Sequence, residues 1–214
     1  MIYSDRTAAG RALGLELGHL RAMQPLVLGL PRGGVPVAAA VCGVIGGDLD
    51  IMLVRKLGVP WQPELAMGAI GEEGIRVLNQ DVLSHTGITT RQIAEIEDVE
   101  RAELERRREM WRGDAKPIPI SGRTTVIVDD GMATGATVAV ACRVAQLHQP
   151  TRIVVAVPVS STEALRRVAA EADEVVCPWV PRSLGGVGMA YRDFHQLQDD
   201  EVTVLLAAKQ SRRG

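Results

Sequence analysis

An α/β fold, with a parallel sheet flanked by helices on both faces, is predicted by three observations. Apolar runs recur at residues 26–30, 50–55, 123–130, 152–159 and 174–179. Segments with helical spacing separate most of them, at residues 35–44, 137–147 and 163–172. The runs are apolar almost throughout rather than alternating, which is the habit of strands covered on both faces, and strand alternating with helix at this interval marks βαβ units.

Ahead of the first strand, residues 5–23 place Ala9, Ala12, Leu13, Leu17 and Leu20 at helical spacing, so one helix is predicted there, weakened by Gly10, Gly14 and Gly18. Strand 26–30 runs into Pro31-Arg32-Gly33-Gly34, and the helix that follows carries Pro36 in its first turn. After strand 50–55, residues 56–63 hold two prolines and Gly58, which predicts a mobile loop without regular structure. Residues 66–70 and 75–79 flank Gly71-Glu72-Glu73-Gly74 and predict a hairpin at the sheet edge. Residues 89–111 form the one long charged helix: Thr90 is its expected cap, Ile93, Ile96, Val99 and Leu104 its apolar stripe, and Glu97/Arg101 and Glu103/Arg107 are spaced for ion pairs. Residues 116–122 predict a surface linker. The chain is thus expected to be one domain over residues 1–214, with a core over about 24–179, a β-hairpin and charged-helix insertion over about 66–112, and a small C-terminal hood over about 178–200.

Composition narrows the function. The 214 residues are 46% hydrophobic and 23% charged, with 24 basic against 26 acidic side chains and a net charge of −2. That balance gives no field for nucleic acid or an anionic membrane, so an anionic ligand must be held locally. Arg106-Arg107-Arg108 lies on a glutamate-rich helix and suits a solvated face or an oligomer contact. No Cys-x-x-Cys or His-Glu-x-x-His run offers a zinc site, no signal-like segment opens the chain, and no apolar stretch approaches the roughly 20 residues of a membrane span. The cytoplasm is the expected compartment.

The most informative run is Val126-Ile127-Val128-Asp129-Asp130-Gly131-Met132-Ala133-Thr134-Gly135-Ala136-Thr137. A buried strand ends in two carboxylates, then a small-residue turn enters a helix. Such a turn aims backbone N–H groups and the helix dipole at one point, which suits a phosphate, and Thr134 and Thr137 add hydroxyls. Neighbouring strand residues point to opposite faces, so one acid can meet the ligand while the other braces the turn. Carboxylates accept from vicinal hydroxyls and can hold hydrated magnesium, so a diol beside a phosphate is implied. A lone Asp-Asp-Gly would equally be an ordinary turn.

This run is similar to the phosphoribosyl-pyrophosphate signature of type I phosphoribosyltransferases (PRTases), a Rossmann-like αβα family. The resemblance implies that Asp129 and Asp130 bind the ribose hydroxyls and hold Mg2+ indirectly, through water or the ligand. It implies that Gly131, Met132, Ala133, Thr134, Gly135, Ala136 and Thr137 form the ribose 5-phosphate cradle. Leu30-Pro31-Arg32-Gly33-Gly34 resembles the family's pyrophosphate loop, which often carries a non-proline cis peptide; Pro31–Arg32 is the expected bond. Val54-Arg55-Lys56-Leu57-Gly58 resembles the segment after the second strand. Arg32, Gly33, Gly34, Arg55 and Lys56 are then the pyrophosphate set, although a solvated Arg32 and a solvated Arg-Lys pair read as well from those residues alone.

The activity implied is a pentosyltransferase (EC 2.4.2.-) of nucleotide salvage. It moves a 5-phosphoribosyl group from 5-phosphoribosyl-1-pyrophosphate (PRPP) to a nitrogenous base and releases pyrophosphate. Arg32 and Lys56 would stabilise the leaving charge, residues 57–68 would close as a lid, and Glu64 would be the acid or base. Alanine at 133, where the purine-salvage branch has aspartate near the base, departs from that branch. The hood offers Trp179, Tyr191 and Phe194 for stacking on a base; Tyr191 and Phe194, three residues apart, would equally staple a short helix to the core. A homodimer is the family habit. The alternative is a non-catalytic PRPP-binding regulatory protein. P-loop, dinucleotide and Gly-x-Ser-x-Gly hydrolase motifs are absent.

Overall fold

The structure, a computed structural model, describes residues 2–210, with side chains through residue 207. The chain enters through α1 (Arg6–Glu16), capped by Asp5, whose carboxylate accepts the Ala8 N–H at 2.7 Å. β1 (Leu26–Gly29), α2 (Gly34–Ile45) and β2 (Asp48–Ile51) follow. Then come β3 (Val54–Val59), β4 (Gln62–Gly71) and β5 (Arg76–Leu78), and the helices α3 (Gln80–Thr86) and α4 (Thr90–Trp111). β6 (Thr124–Val128), α5 (Ala136–Leu147), β7 (Arg152–Ala156), α6 (Thr162–Ala169), β8 (Glu174–Val176) and α7 (Asp199–Gln210) complete it. None of the helices is long and apolar enough to cross a membrane among the described residues.

The five expected core strands form one parallel sheet in the order β2-β1-β6-β7-β8. Period-two alternation divides its side chains between two cores. Val27, Val126, Val128 and Val154 pack under α1 and α2, while Leu28, Ile127, Ile153 and Val155 pack under α5 and α6. Chain direction reverses beside β1: it runs outward to β2, then returns at β6 on the other side. Open sheets bind ligands at the carboxyl ends of the strands at such a switch point, so the loops after β1 and β6 are the ones to watch.

Several expectations are corrected. The opening helix stops at Glu16 and continues as a 3-10 turn over Gly18–Met23. Its glycines weaken the helix but serve a contact: a Cβ on Gly10 would stand 2.5 Å from the Val37 carbonyl oxygen, so α1 approaches α2 only without one. Residues 50–55 are not one strand. β2 ends at Ile51, and the chain steps to a second, antiparallel sheet, β3-β4-β5.

The expected loop at 56–63 is instead a tight hairpin closed by the Val59–Gln62 pair. The proline at 60 lies in its turn; Pro63 sits on β4 where the register slips at Gly58, a position whose added Cβ would meet the Pro63 carbonyl oxygen at 2.6 Å. An irregularity of that kind is where a strand tolerates proline. The 66–70/75–79 hairpin exists as β4 and β5, with Gly74 at φ 76°, but builds this second sheet rather than decorating the first. On α4 the cap is Thr89, not Thr90, in a capping box with Gln92, and Val99 is 68% exposed, outside the stripe. Both expected ion pairs on that helix form, each at 2.6 Å. Sequence patterning missed α3 and α7.

The insertion is bolted to the main sheet at Arg112, just past α4. Its guanidinium binds Asp50 of β2 at 2.9 Å and Glu72 of the β4–β5 turn at 2.7 Å. Asp50 also accepts the Ile118 N–H at 2.8 Å, so the linker at 116–122 is tied in too. Burial raises the Glu72 carboxyl above its ordinary pKa despite the Arg112 hydrogen bond and charge. Arg112→Leu leaves two buried carboxylates without their partner, and the expected loss of stability is about 3–5 kcal/mol. Urea denaturation measures it; a loss under about 1 kcal/mol would mean that this network does not hold the insertion.

Candidate active site

The two loops after β1 and β6 meet. The peptide bond Pro31–Arg32 is cis, as the resemblance implied. Gly33 follows, and a Cβ there would lie 2.0 Å from Asp130 Oδ2; one on Gly34 would lie 2.4 Å from the Val128 carbonyl oxygen. The glycines therefore admit the second loop against the backbone of the first. α2 starts in this loop with no side-chain cap.

The second loop is braced from beneath and left open above. Gly131 has no room for a side chain, since Val187 and Val159 stand 2.6 and 2.8 Å from its would-be Cβ. The Met132 N–H donates to the Val159 carbonyl at 2.9 Å. From α6, Ser161 Oγ donates to the Ala133 carbonyl at 2.7 Å and Arg167 to the Thr134 carbonyl at 2.6 Å. Gly135 takes φ 70° at the N-cap of α5, again without a side-chain hydrogen bond, and Ala133, Thr134 and Thr137 are exposed. The Thr134 hydroxyl accepts the Ala136 N–H at 3.4 Å, so the loop closes on the first turn of α5, and a helix N-terminus of this kind suits an anion through its dipole and N–H groups.

Asp129 and Asp130 lie between these loops. Asp129 Oδ1 accepts the Asp130 N–H at 2.9 Å; the Asp130 carboxylate receives Arg6 Nε at 2.8 Å, and its carbonyl accepts the Tyr191 hydroxyl at 2.5 Å. Burial and the Asp130 charge raise the Asp129 carboxyl well above the usual range, and burial raises that of Asp130, opposed by Arg6. Two adjacent hard oxygen donors whose ionised forms are disfavoured suit a divalent cation nearby. No cluster of three potential ligand residues exists among the described residues, so the pair fits Mg2+ only as a partial shell completed by water or ligand oxygens.

Residues 8–192 match the family model described as "Phosphoribosyl transferase domain". The chain belongs to the phosphoribosyltransferase family. It is 48% identical over 205 residues to Mycobacterium tuberculosis proteins of strains H37Rv and CDC 1551, each named "Putative phosphoribosyl transferase". That alignment covers 96% of this chain and 46% of theirs, so the chain spans about half the length of these relatives. The crystal structure of the protein TT1426 from Thermus thermophilus is 42% identical, covers 98% of this chain and 99% of that one, and superposes with a TM-score of 0.91. The parallel five-stranded sheet is the type I PRTase arrangement that the signature implied.

The other expected PRTase residues fall in three places. Arg32 reaches back to the C-terminal segment, 3.0 Å from Asp199 Oδ1 and donating to the Leu197 carbonyl at 3.1 Å. Arg55 and Lys56 lie on β3 rather than in a loop: Arg55 donates through Nε to Glu100 of α4 at 2.6 Å, and Lys56 pairs with Glu64 across the hairpin at 3.4 Å. Glu64 is 72% exposed on its side chain. In the hood, Tyr191 is only 7% exposed, stacked on Phe194 with centroids 5.1 Å apart and tilted against Tyr3 at 5.9 Å. It staples the hood to the core, though not as part of a helix; a base has no free Tyr191 face in this conformation. Phe194 is partly exposed, with the Arg6 guanidinium 3.9 Å from its centroid, and Trp179 packs at the edge of the same cluster.

Arg6, Asp199 and Arg167 are site residues that sequence reasoning missed. Each acts over more than thirty residues from its partner, and nothing local marks it. The Gly33–Asp130 contact is testable by itself. Gly33→Ala must displace the carboxylate or the loop and is expected to cost about 1–3 kcal/mol, as overpacking does. In an Asp130→Ala background most of that cost should vanish. Equal Gly33→Ala penalties in the two backgrounds, read by chemical denaturation, would rule out the contact.

Proposed function

We propose that this crevice binds PRPP and transfers its phosphoribosyl group to a nitrogenous base, releasing pyrophosphate. The observation that carries the reading is the meeting of two glycine loops, each leading into a helix N-terminus, across a half-buried carboxylate pair at the switch point of the sheet. In this reading the turn from Gly131 to Thr137 holds the ribose 5-phosphate, with Ala133 to Thr137 and the Thr134 and Thr137 hydroxyls around the phosphate itself. The ribose diol donates to Asp129 and Asp130, taking over from Arg6. Arg32, the Gly33-Gly34 turn, Arg55 and Lys56 receive the pyrophosphate.

As the bond from ribose C1 to pyrophosphate oxygen breaks, its electron pair leaves with the pyrophosphate, and a ring nitrogen of the acceptor forms the new bond to C1. The cationic side chains act most where this negative charge gathers. Mg2+, when bound, neutralises part of the diphosphate charge. The β3–β4 hairpin serves as the lid over residues 57–68. It carries Lys56 and Glu64 together, so the carboxylate that would accept or return a proton neutralises the lysine at rest. Exclusion of water protects the cationic sugar. Phe194 and Trp179 are the hood residues left to meet a base. A cytoplasmic role in nucleotide salvage belongs to the same proposal.

A panel of nucleobases with PRPP and magnesium, assayed for pyrophosphate release, tests the reading. Asp130→Asn is expected to abolish PRPP binding in calorimetry, and Lys56→Ala to lower kcat/KM by about 10²–10³-fold. PRPP binding with no release for any base would make the protein a PRPP-binding regulator instead. No heat with PRPP would end the proposal. Unchanged turnover in Lys56→Ala would remove Lys56 from the leaving-group set.

A further inference from the structure

Beside the two loops lies a small hollow with about 20 Å³ of room, enough for one water-sized atom. Pro31, Val54 and Thr137 line it together with Arg107 and Trp111 of α4. Its polar side chains are Arg107, Trp111 and Thr137. Arg107 donates through Nε to Glu103 at 2.6 Å, but the same carboxylate receives Arg106 at 2.8 and 3.0 Å, so one acid serves two guanidiniums. Nη1 and Nη2 of Arg107 have no acceptor among the described residues. Trp111 is 6% exposed, its ring centroid 5.8 Å from the Arg107 guanidinium carbon, and its indole N–H is buried with no acceptor among the described residues.

An orphaned buried donor is costly in a native fold and calls for an explanation, an unseen acceptor being the usual one. No carboxylate lines the hollow. The acceptor that the Trp111 indole N–H lacks is one that an anionic oxygen would supply.

We propose that this hollow seats a phosphoryl oxygen of the pyrophosphate group, with Arg107 and Trp111 as two further pyrophosphate-binding residues contributed by α4. The inference rests on the reading of the preceding subsection and deepens it. Pyrophosphate is favoured over the 5-phosphate because Pro31 immediately precedes Arg32 and Val54 immediately precedes Arg55 and Lys56, whereas only Thr137 comes from the phosphate loop. Arg107 already leans on the indole face, a contact that fixes a long side chain beside the hollow. The charged helix of the insertion thereby acquires a task at the leaving group.

The test labels the indole nitrogens with 15N. Three tryptophans, Trp61, Trp111 and Trp179, give three indole N–H signals, and Trp111→Phe identifies one of them. Inorganic pyrophosphate with magnesium is expected to move the Trp111 signal downfield; ribose 5-phosphate is expected to leave it in place. Arg107→Gln should weaken pyrophosphate binding tenfold or more in calorimetry, and Arg106→Gln, whose charge faces Glu103, clearly less. The amide spectra of the variants report their folding. Pyrophosphate binding that leaves the Trp111 signal still, or equal losses in the two arginine variants, overturns this inference alone. A shift with ribose 5-phosphate instead overturns the choice of group. Failure of the wild-type protein to bind either PRPP or pyrophosphate overturns the functional reading and this inference together.

Discussion

The structure turns on the approach of Asp130 to Gly33. Two parallel strands that are neighbours in the sheet deliver their following loops to the same place, and the second loop fits only because the first has no side chain there. The parallel register, Gly29 beside Val128, sets both loops off at the same height. Had the first loop carried any Cβ at 33, the acid pair would be pushed from the crevice or the loops apart. The glycine requirement is therefore geometric before it is chemical: it sets how near two backbones can come.

What surrounds the crevice is held by partners distant in sequence. Arg6 of the first helix holds Asp130, the C-terminal segment holds Arg32, and α6 holds the carbonyls of Ala133 and Thr134 in the loop after β6. The arrangement ties the carbonyls at 133 and 134 to α6 and leaves Ala133, Thr134 and Thr137 exposed. Burying two adjacent carboxyls disfavours their ionisation, a cost that Arg6 only partly offsets. A binding site that disfavours its own charge in the empty state gains when a cation or hydroxyl donors arrive.

The parallel sheet, the acid pair and the glycine loops were legible because their signals are local: apolar runs, a strand ending in Asp-Asp, glycines in the turns; the cis bond was expected only from the family resemblance. The β3–β4 hairpin was not, because Pro60 and Pro63 argue for a loop and only the register slip at Gly58 admits Pro63 to a strand. Val99 fitted the helical spacing of the stripe, yet α4 turns that position to solvent. Tyr191 and Phe194 were open to two readings, and packing chose the staple for Tyr191. Arg6 and Asp199 carried no local sign at all, since their partners are set by the closure of the two chain ends onto the sheet. Patterns within one element are readable; pairings between distant elements require the fold.

The Arg32–Asp199 contact has a consequence for any anion that uses this arginine. Asp199 Oδ1 is 3.0 Å from Arg32 Nε yet makes no hydrogen bond, so it is close but poorly aligned. It is also part of the same molecule, a rival whose local abundance no dilution can lower. An incoming group is thus admitted by exchange rather than by occupation of empty space. The affinity a titration returns is the difference between two guests at one seat, one of them resident for life.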